Sequence, residues 1–315
     1  MLGVALGGGV AIGLIAWAGA GAIAEAVLRA GWTLPLLLAL HAMQLSLSGL
    51  AWRAASGGVA PGDLTWVRIR WIREAVNSLL PVAQIGGLLV GVRLLGHRGV
   101  PLAVGGAGTT LDLTAEVLTQ FLFTLLGGCV LAAVSSDPTL RPWLGGALGL
   151  MALGVGGFVL AQRAGILLVV ERLSARLRRM FPALQAADMG GLHAELLRLQ
   201  AQPRALLQSL WLHLLAWLLG VGETWLVLGA IGHPAGLAEA LVIESLGMAA
   251  RSAGFAVPGA LGVQEGGFVL VGSLFGLPAE AALALSVVKR AREILVGVAG
   301  LLAWQWAEGT RLARR

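Results

Sequence analysis

Two stretches of this chain set arginine, acid, amide, proline and paired glycine in the same order within apolar sequence. The first reads Arg73-Glu74-Ala75-Val76-Asn77-Ser78-Leu79-Leu80-Pro81 and passes Gln84 to reach Gly86-Gly87-Leu88-Leu89-Val90-Gly91. The second reads Arg251-Ser252-Ala253-Gly254-Phe255-Ala256-Val257-Pro258. It continues through Gly259, Gly262, Gln264 and Glu265 to Gly266-Gly267-Phe268-Val269-Leu270-Val271-Gly272, with Glu244 one heptad ahead of Arg251. A third group, Lys289, Arg290, Arg292 and Glu293, interrupts the apolar run Ala281 to Trp306 near its middle. An ionisable side chain at membrane depth costs about 2.5–3.5 kcal/mol on insertion scales and is tolerated when paired or facing water. A mixed set of arginines, acids and amides suits a zwitterionic or anionic lipid head group. Phosphate takes charge-assisted donors, and a cationic or hydroxylated part takes acceptors. The alternative is that these charges only brace the protein through ion pairs.

The elements that carry these residues are read from the same stretches. Proline removes a backbone donor and breaks a helix, and paired glycines allow a tight reversal, so each stretch reads as helix, break, helix. Backbone freed by a break cannot face lipid and must be buried in protein or line a watery cavity. If the two hairpins enter from opposite sides they form an inverted repeat, whose broken helices meet near the midplane. The expected cavity-lining set is Arg73, Glu74, Asn77, Pro81, Gln84, Glu244, Arg251, Pro258, Gln264, Glu265, Lys289, Arg290 and Glu293. Gly86, Gly87, Gly259, Gly262, Gly266 and Gly267 are the expected hairpin glycines.

The rest of the chain is membrane sequence. It has 315 residues, 57% of them apolar and 12% charged, with mean hydropathy +0.85, which excludes a water-soluble globular domain. No sustained period-two alternation supports a barrel. The predicted fold is all-α and polytopic, one integral membrane domain over 1–315. Its six full spans are Leu2 to Val27, Thr33 to Trp52, Val117 to Val134, Trp143 to Ala161, Leu206 to Ile231 and Ala281 to Trp306. The re-entrant hairpins fall within Leu64 to Gly91 and Pro234 to Gly276. Residues 163–205 form an amphipathic connector between two halves, rich in arginine. Arginine-rich loops stay cytoplasmic, so the connector and the C-terminus with Arg311, Arg314 and Arg315 are placed inside. A full crossing by Leu64 to Gly91 would instead put Arg53 and the N-terminus outside.

Other signals are weaker. Asp112 and Glu116 share a helix face and read as a solvated pair at the inner interface, with proton coupling as the alternative. Glu223 reads as a pairing partner for an arginine, and His41 and His213 read as satisfied core residues. Gly105-Gly106-Ala107-Gly108-Thr109-Thr110 lacks the lysine of a phosphate loop and reads as close helix packing. Cys129 is the single cysteine, which excludes intrachain disulfides. The net charge of +6 sits beside apolar spans, so the expected partner is membrane lipid and not nucleic acid. No nucleophile sits in a triad arrangement and no His, Asp or Glu cluster has metal-ligand spacing, so neither an enzyme nor a cofactor is expected.

Asn77 to Gly87 (NSLLPVAQIGG), Pro258 to Glu265 (PGALGVQE) and Ser286 to Glu293 (SVVKRARE) resemble the membrane domain of the lysylphosphatidylglycerol synthase family and its stand-alone relatives. The final third, ending in GLLAW at Gly300 to Trp304, most resembles the hopanoid-biosynthesis-associated, HpnL-type branch. The resemblance implies a flippase-like helical domain with re-entrant hairpins and no synthase domain, in a bacterial inner membrane. Two positions depart from the family pattern: Ala260 stands where a second glycine is usual, and Leu88 where a polar or acidic residue is common. Both weaken the case for an aminoacylated phospholipid as cargo. The expected function is translocation of a phospholipid or hopanoid head group between the hairpins. The alternatives are a non-transporting accessory that docks lipid-biosynthesis enzymes or presents lipid intermediates, and an intramembrane enzyme. A homo-oligomer is compatible with either of the first two.

Overall fold

Lipid offers no partners to backbone N–H and C=O groups, so an apolar chain satisfies them within helices. The computed structural model describes residues 17, 19–80, 85–135, 140–165, 168, 169, 172, 191–254 and 257–312, and every regular element among them is helical. In chain order these are α1 (Ala20–Ala30), a 3-10 turn (Gly31–Thr33), α2 (Leu34–Ala55), α3 (Asp63–Leu79), α4 (Ile85–Gly96), α5 (Leu102–Val134) and α6 (Leu140–Arg163). Then come α7 (Leu192–Gln200), within the connector, α8 (Pro203–Ala230), α9 (Leu237–Ala253), a second 3-10 turn (Pro258–Ala260), α10 (Val263–Ser273) and α11 (Ala279–Leu312).

Among the described residues, four stretches are long and apolar enough to cross a membrane: Ala20–Ala55, Leu102–Val134, Leu144–Arg163 and Pro203–Ala230. They contain the expected spans Thr33 to Trp52 and Val117 to Val134 and, but for Trp143 and Ile231 at their ends, Trp143 to Ala161 and Leu206 to Ile231. Most of Leu2 to Val27 lies outside the described residues. The expected loop between the first two spans is a 3-10 turn, stabilised where Thr33 Oγ1 donates to the Ala30 carbonyl at 2.7 Å. The expected span Ala281 to Trp306 lies within α11 and is not among the four, because Lys289, Arg290, Arg292 and Glu293 interrupt its apolar run.

Helix α5 begins well before Val117. It starts right after Pro101 and runs 33 residues, about 50 Å at 1.5 Å per residue. The early start is possible because its glycines are contact points. A Cβ on Gly108 would lie 2.1 Å from Ser56 Oγ, and one on Gly127 would lie 1.8 Å from Ser245 Oγ. The small-residue reading of Gly105 to Thr110 therefore holds. Thr109, Thr110 and Thr119 turn their hydroxyls back onto carbonyls one turn earlier, which satisfies them in apolar surroundings. Part of the connector packs on this extension, with Leu192, Leu196 and Leu199 of α7 buried against Ala55, Ala107 and Leu111.

The most extensive pairing is α2 with α8, and α11 lies along α3 and α1. Helix α6 packs on α5 and is otherwise largely exposed. The main apolar core gathers Leu37, Leu131, Leu228, Ile243, Phe268 and Leu285, one from each of six helices, together with Ala30 of α1 and others. Helices α3, α8, α9, α10 and α11 surround the charges singled out above.

Candidate functional site

Each broken stretch folds back on itself, and in each a glycine permits the close approach. Helix α3 stops at Leu79, and Leu80 is extended at φ −101°, ψ 144°, as a residue preceding proline must be. Asn77 Oδ1 then accepts the Gly87 N–H at 2.9 Å, which satisfies one of the orphan donors at the start of α4. A Cβ on Gly87 would lie 2.3 Å from the Arg73 carbonyl, so only hydrogen fits; Gly86 stands beside it in the same first turn. In the second stretch α9 ends before Gly254, Val257 is extended, and Pro258–Ala260 forms the 3-10 turn. Gly259 and Gly262 have φ of 64° and 77°. Glu265 Oε2 accepts the Gly262 N–H at 2.7 Å and caps α10. A Cβ on Gly267 would lie 2.7 Å from Ala250 Cβ, whereas Gly266 faces open space.

Ala260 has φ +47°, in the left-handed region that costs an L residue about 1–2 kcal/mol. Replacing it with glycine removes that cost and adds about 0.5–1 kcal/mol of chain entropy. Ala260→Gly is therefore expected to melt in detergent no lower than wild type, whereas Gly87→Ala melts lower because the α3–α4 contact must open. Thermal unfolding of the two variants side by side checks both.

The second and third charged groups form one network. Arg251 Nη1 donates to Gln264 Oε1 at 2.5 Å and to Glu293 Oε1 at 2.6 Å. Arg290 donates to Glu265 Oε1 at 2.7 Å and to the Gly259 carbonyl at 3.1 Å. Lys289 Nζ donates to Glu244 Oε2 at 2.5 Å and to Thr224 Oγ1 at 3.0 Å, and lies 3.6 Å from Glu223. Arg292 pairs with Glu223, and Gln264 and Ser286 join the two ends at 3.1 Å. Four cations, Arg251, Lys289, Arg290 and Arg292, meet four carboxylates, Glu223, Glu244, Glu265 and Glu293. The expected role of Glu223 as a partner for an arginine is realised.

A second network was not legible as such in the sequence. Asp112 is wholly buried, and its carboxylate faces Arg73 at 2.7 Å, Arg70 at 3.3 Å and His213 Nε2 at 2.9 Å. Arg70 also bonds Glu116 at 2.8 Å, while Glu74, one turn away on α3, stands at 3.9 Å. The guanidinium of Arg73 lies over the Trp52 ring, 5.1 Å from its centroid. Asp112 and Glu116 are thus not a solvated interfacial pair: the early start of α5 carries both carboxylates beside α3. The available signal was complementary spacing, Arg70 and Arg73 one turn apart on α3 facing Asp112 and Glu116 one turn apart on α5.

The two broken stretches meet where these networks approach each other. The 3-10 turn packs on α3, with the Cβ position of Gly259 3.9 Å from the Ser78 carbonyl and 3.5 Å from Arg290 Nη1. Beside this junction, a recess of about 30 Å³ is lined by His41, Glu74, Ala75, Ser78, Glu293, Val296 and Gly297. That volume holds about one or two waters and is far too small for a lipid head group. The structure therefore brings together Arg73, Glu74 and Asn77 on one side and Glu244, Arg251, Gln264, Glu265, Lys289, Arg290 and Glu293 on the other, closed on their own ion pairs. Pro258 lies in the 3-10 turn between them, and Pro81 and Gln84 lie outside the described residues.

A family model described as the lysylphosphatidylglycerol synthase TM region matches residues 2–300 of the chain. Comparison with curated proteins and with solved structures finds no match.

Proposed function

Because this chain belongs to the lysylphosphatidylglycerol synthase TM region family, a membrane protein family related to lipid metabolism, we propose that it is flippase-like and translocates a polar lipid head group between its two broken helical hairpins. The single observation that carries this reading is the junction at Arg290, which holds the Gly259 carbonyl of one hairpin turn and Glu265 of the adjoining helix while that turn rests on α3 of the other hairpin. Ion pairs so placed can exchange partners. A phosphate competes with Glu265 and Glu293 for Arg290 and Arg251, and the released carboxylates accept from a hydroxylated or cationic part of the head group. The closed arrangement is then the resting state, and opening it separates the hairpin tips while the acyl or polycyclic chains stay in lipid.

On this reading both hairpins are re-entrant, returning to the side they entered from, and form an inverted repeat. The protein resides in a bacterial inner membrane with its connector and C-terminus cytoplasmic, and its cargo is a phospholipid or a hopanoid in keeping with the HpnL-type resemblance. Purified protein in liposomes tests it. Wild type is expected to move the head group of an anionic phospholipid, an aminoacylated phospholipid or a polar-headed hopanoid. Arg251→Ala is expected to lose that movement while remaining inserted. Equal rates for both proteins would remove Arg251 from the path.

One observation favours a second reading. Every cation of the larger network has a carboxylate partner and the recess is small, which suits a rigid accessory that docks lipid-biosynthesis enzymes or presents their intermediates. It predicts no lipid movement in purified vesicles and a phenotype that depends on a partner.

A further inference from the structure

The two ion networks brace different helices. Arg70 and Arg73 tie α3 to Asp112 and Glu116 of α5. The larger network ties α11 to α8 through Arg292 and Glu223, to α9 through Lys289 and Glu244, and to α10 through Arg290 and Glu265. Among the described residues, the carboxylate partners of the four buried cations, Arg70, Arg73, Lys289 and Arg292, all lie within the same set of helices as the cation. Parting such a pair strands a buried charge, so α3 with α5, and α8 with α9, α10 and α11, each hold together as a unit.

Where α3 lies along α11 the two units touch differently. Gly297 and Gly300 let the helices close on each other: a Cβ on Gly297 would lie 2.7 Å from Leu79 Cδ1, and one on Gly300 would lie 2.7 Å from Ala75 Cβ. Small residues give such a contact its closeness without an ionic tie. Trp71 Nε1 donates across it to the Val296 carbonyl at 2.8 Å. Toward the end of α11, Arg68 lies over the Trp306 ring, 5.9 Å from its centroid, and exposed Arg93 of α4 reaches Glu308 at 3.2 Å, a surface pair of small worth. The recess falls within this same seam, lined from α3 by Glu74, Ala75 and Ser78 and from α11 by Glu293, Val296 and Gly297. The two carboxylates that line it are both acceptors and cannot hydrogen-bond each other. Glu293 is held by Arg251 of its own unit, and Glu74, 35% exposed, has Arg70 no nearer than 3.9 Å. Elsewhere the units stay joined: α2 packs on both α3 and α8, and α5 meets α8 where His213 Nε2 lies 2.9 Å from Asp112 and Phe123 stacks on Trp217.

We propose that the α3–α11 seam is the slot through which the head group enters. The first broken stretch, carried by α5, swings away from α11 about the α5–α8 contact and widens the recess between Glu74 and Glu293, while α8, α9, α10 and α11 stay together. Rocking of one braced unit against another is a general route to alternating access. Glu293 keeps Arg251 beside it at 2.6 Å, so the widened slot leads to the guanidinium that the transport reading assigns to phosphate. Trp71 is the latch of the seam, a positioning residue that touches no cargo. This step rests on the transport reading and names the surface that opens.

Two distances measured on the full chain in liposomes test the seam. In a Cys129→Ala background, spin labels at Arg68→Cys and Trp306→Cys report the seam, and labels at Leu270→Cys of α10 and Leu295→Cys of α11, both exposed positions, report the second unit. Trp71→Phe keeps the ring and removes the donor. It is expected to raise the ratio of long to short seam distances by about two- to tenfold, the equilibrium worth of one hydrogen bond, and to leave the α10–α11 distance unchanged. Linking the two seam cysteines with a short cleavable bifunctional thiol reagent is expected to stop lipid translocation until the link is cut. A seam distribution that Trp71→Phe leaves unchanged, or a change between α10 and α11 instead, overturns the seam as the surface that opens. Translocation that continues through the linked protein overturns it as the entry slot. If no protein moves any lipid, the transport reading fails, and the two distances alone decide whether the seam opens.

Discussion

Glu223→Ala is expected to cost about 3–5 kcal/mol of folding free energy, the range for removing one partner of a buried ion pair. Glu223 is 1% exposed and holds Arg292 and, at 3.6 Å, Lys289, themselves 5% and 2% exposed. Its removal leaves Arg292 with the longer 3.3 Å contact to Glu293 and throws Lys289 onto Glu244 alone. The penalty comes from the stranded charge more than from the lost attraction, so it should be reversible. Glu223→Leu combined with Arg292→Met replaces the pair with apolar groups and is expected to regain most of the loss, since such replacements are often neutral or better. Unfolding midpoints in detergent for the single and double variants give the answer. A double variant as unstable as Glu223→Ala would mean that the pair does more than neutralise itself.

Glu265 serves three partners at once, and its variants separate structure from transport. Glu265→Ala strands Arg290, leaves Ser286 Oγ without its 3.3 Å acceptor and uncaps the Gly262 N–H. The stranded guanidinium costs about 3 kcal/mol and the lost cap about 1 kcal/mol, enough to unfold the start of α10. Glu265→Gln keeps one oxygen, enough for the Gly262 cap, but turns its amide nitrogen, a donor, toward Arg290, so the charge and that acceptor are lost. The expected result is a Glu265→Gln protein that inserts and melts between wild type and Glu265→Ala yet moves lipid far more slowly than wild type, and a Glu265→Ala protein that fails in both. Melting measured beside translocation distinguishes them; equal transport by Glu265→Gln and wild type would make Glu265 a structural cap alone.

The helix–break–helix grammar was legible because proline and paired glycine have fixed backbone consequences wherever they stand. Pro81 forces Leu80 out of the helix, and Gly87 and Gly267 sit where a Cβ has no room. The start of α5 was not legible: Gly105, Gly106 and Gly108 have poor helix propensity, and only Ser56 and Leu192 packed against them reveal why helix persists there. Pairing was legible by type and not by address. Glu223 was expected to meet an arginine, but nothing in its own span selects Arg292 over the others, because that choice depends on how α11 lies against α8. Local spacing does not rank the partners of Arg70: its one-turn neighbour Glu74 stands at 3.9 Å, while distant Glu116 takes the guanidinium at 2.8 Å. His213 was read as a satisfied core histidine and is one, yet its partner is a carboxylate in an ion cluster, a long-range contact that no local pattern encodes.

The central claim is that the hairpin tips separate to let a head group pass, and locking them together tests it most directly. The 3-10 turn at Pro258–Ala260 packs on the end of α3 near Ser78, and Ala260 already carries a Cβ, so Ala260→Cys adds no backbone strain. In a Cys129→Ala background, Ser78→Cys and Ala260→Cys joined by a short cleavable bifunctional thiol reagent would pin the junction shut in liposome-reconstituted protein. The account predicts that lipid translocation stops when the link forms and resumes when it is cleaved. Unchanged translocation through the linked protein would contradict it.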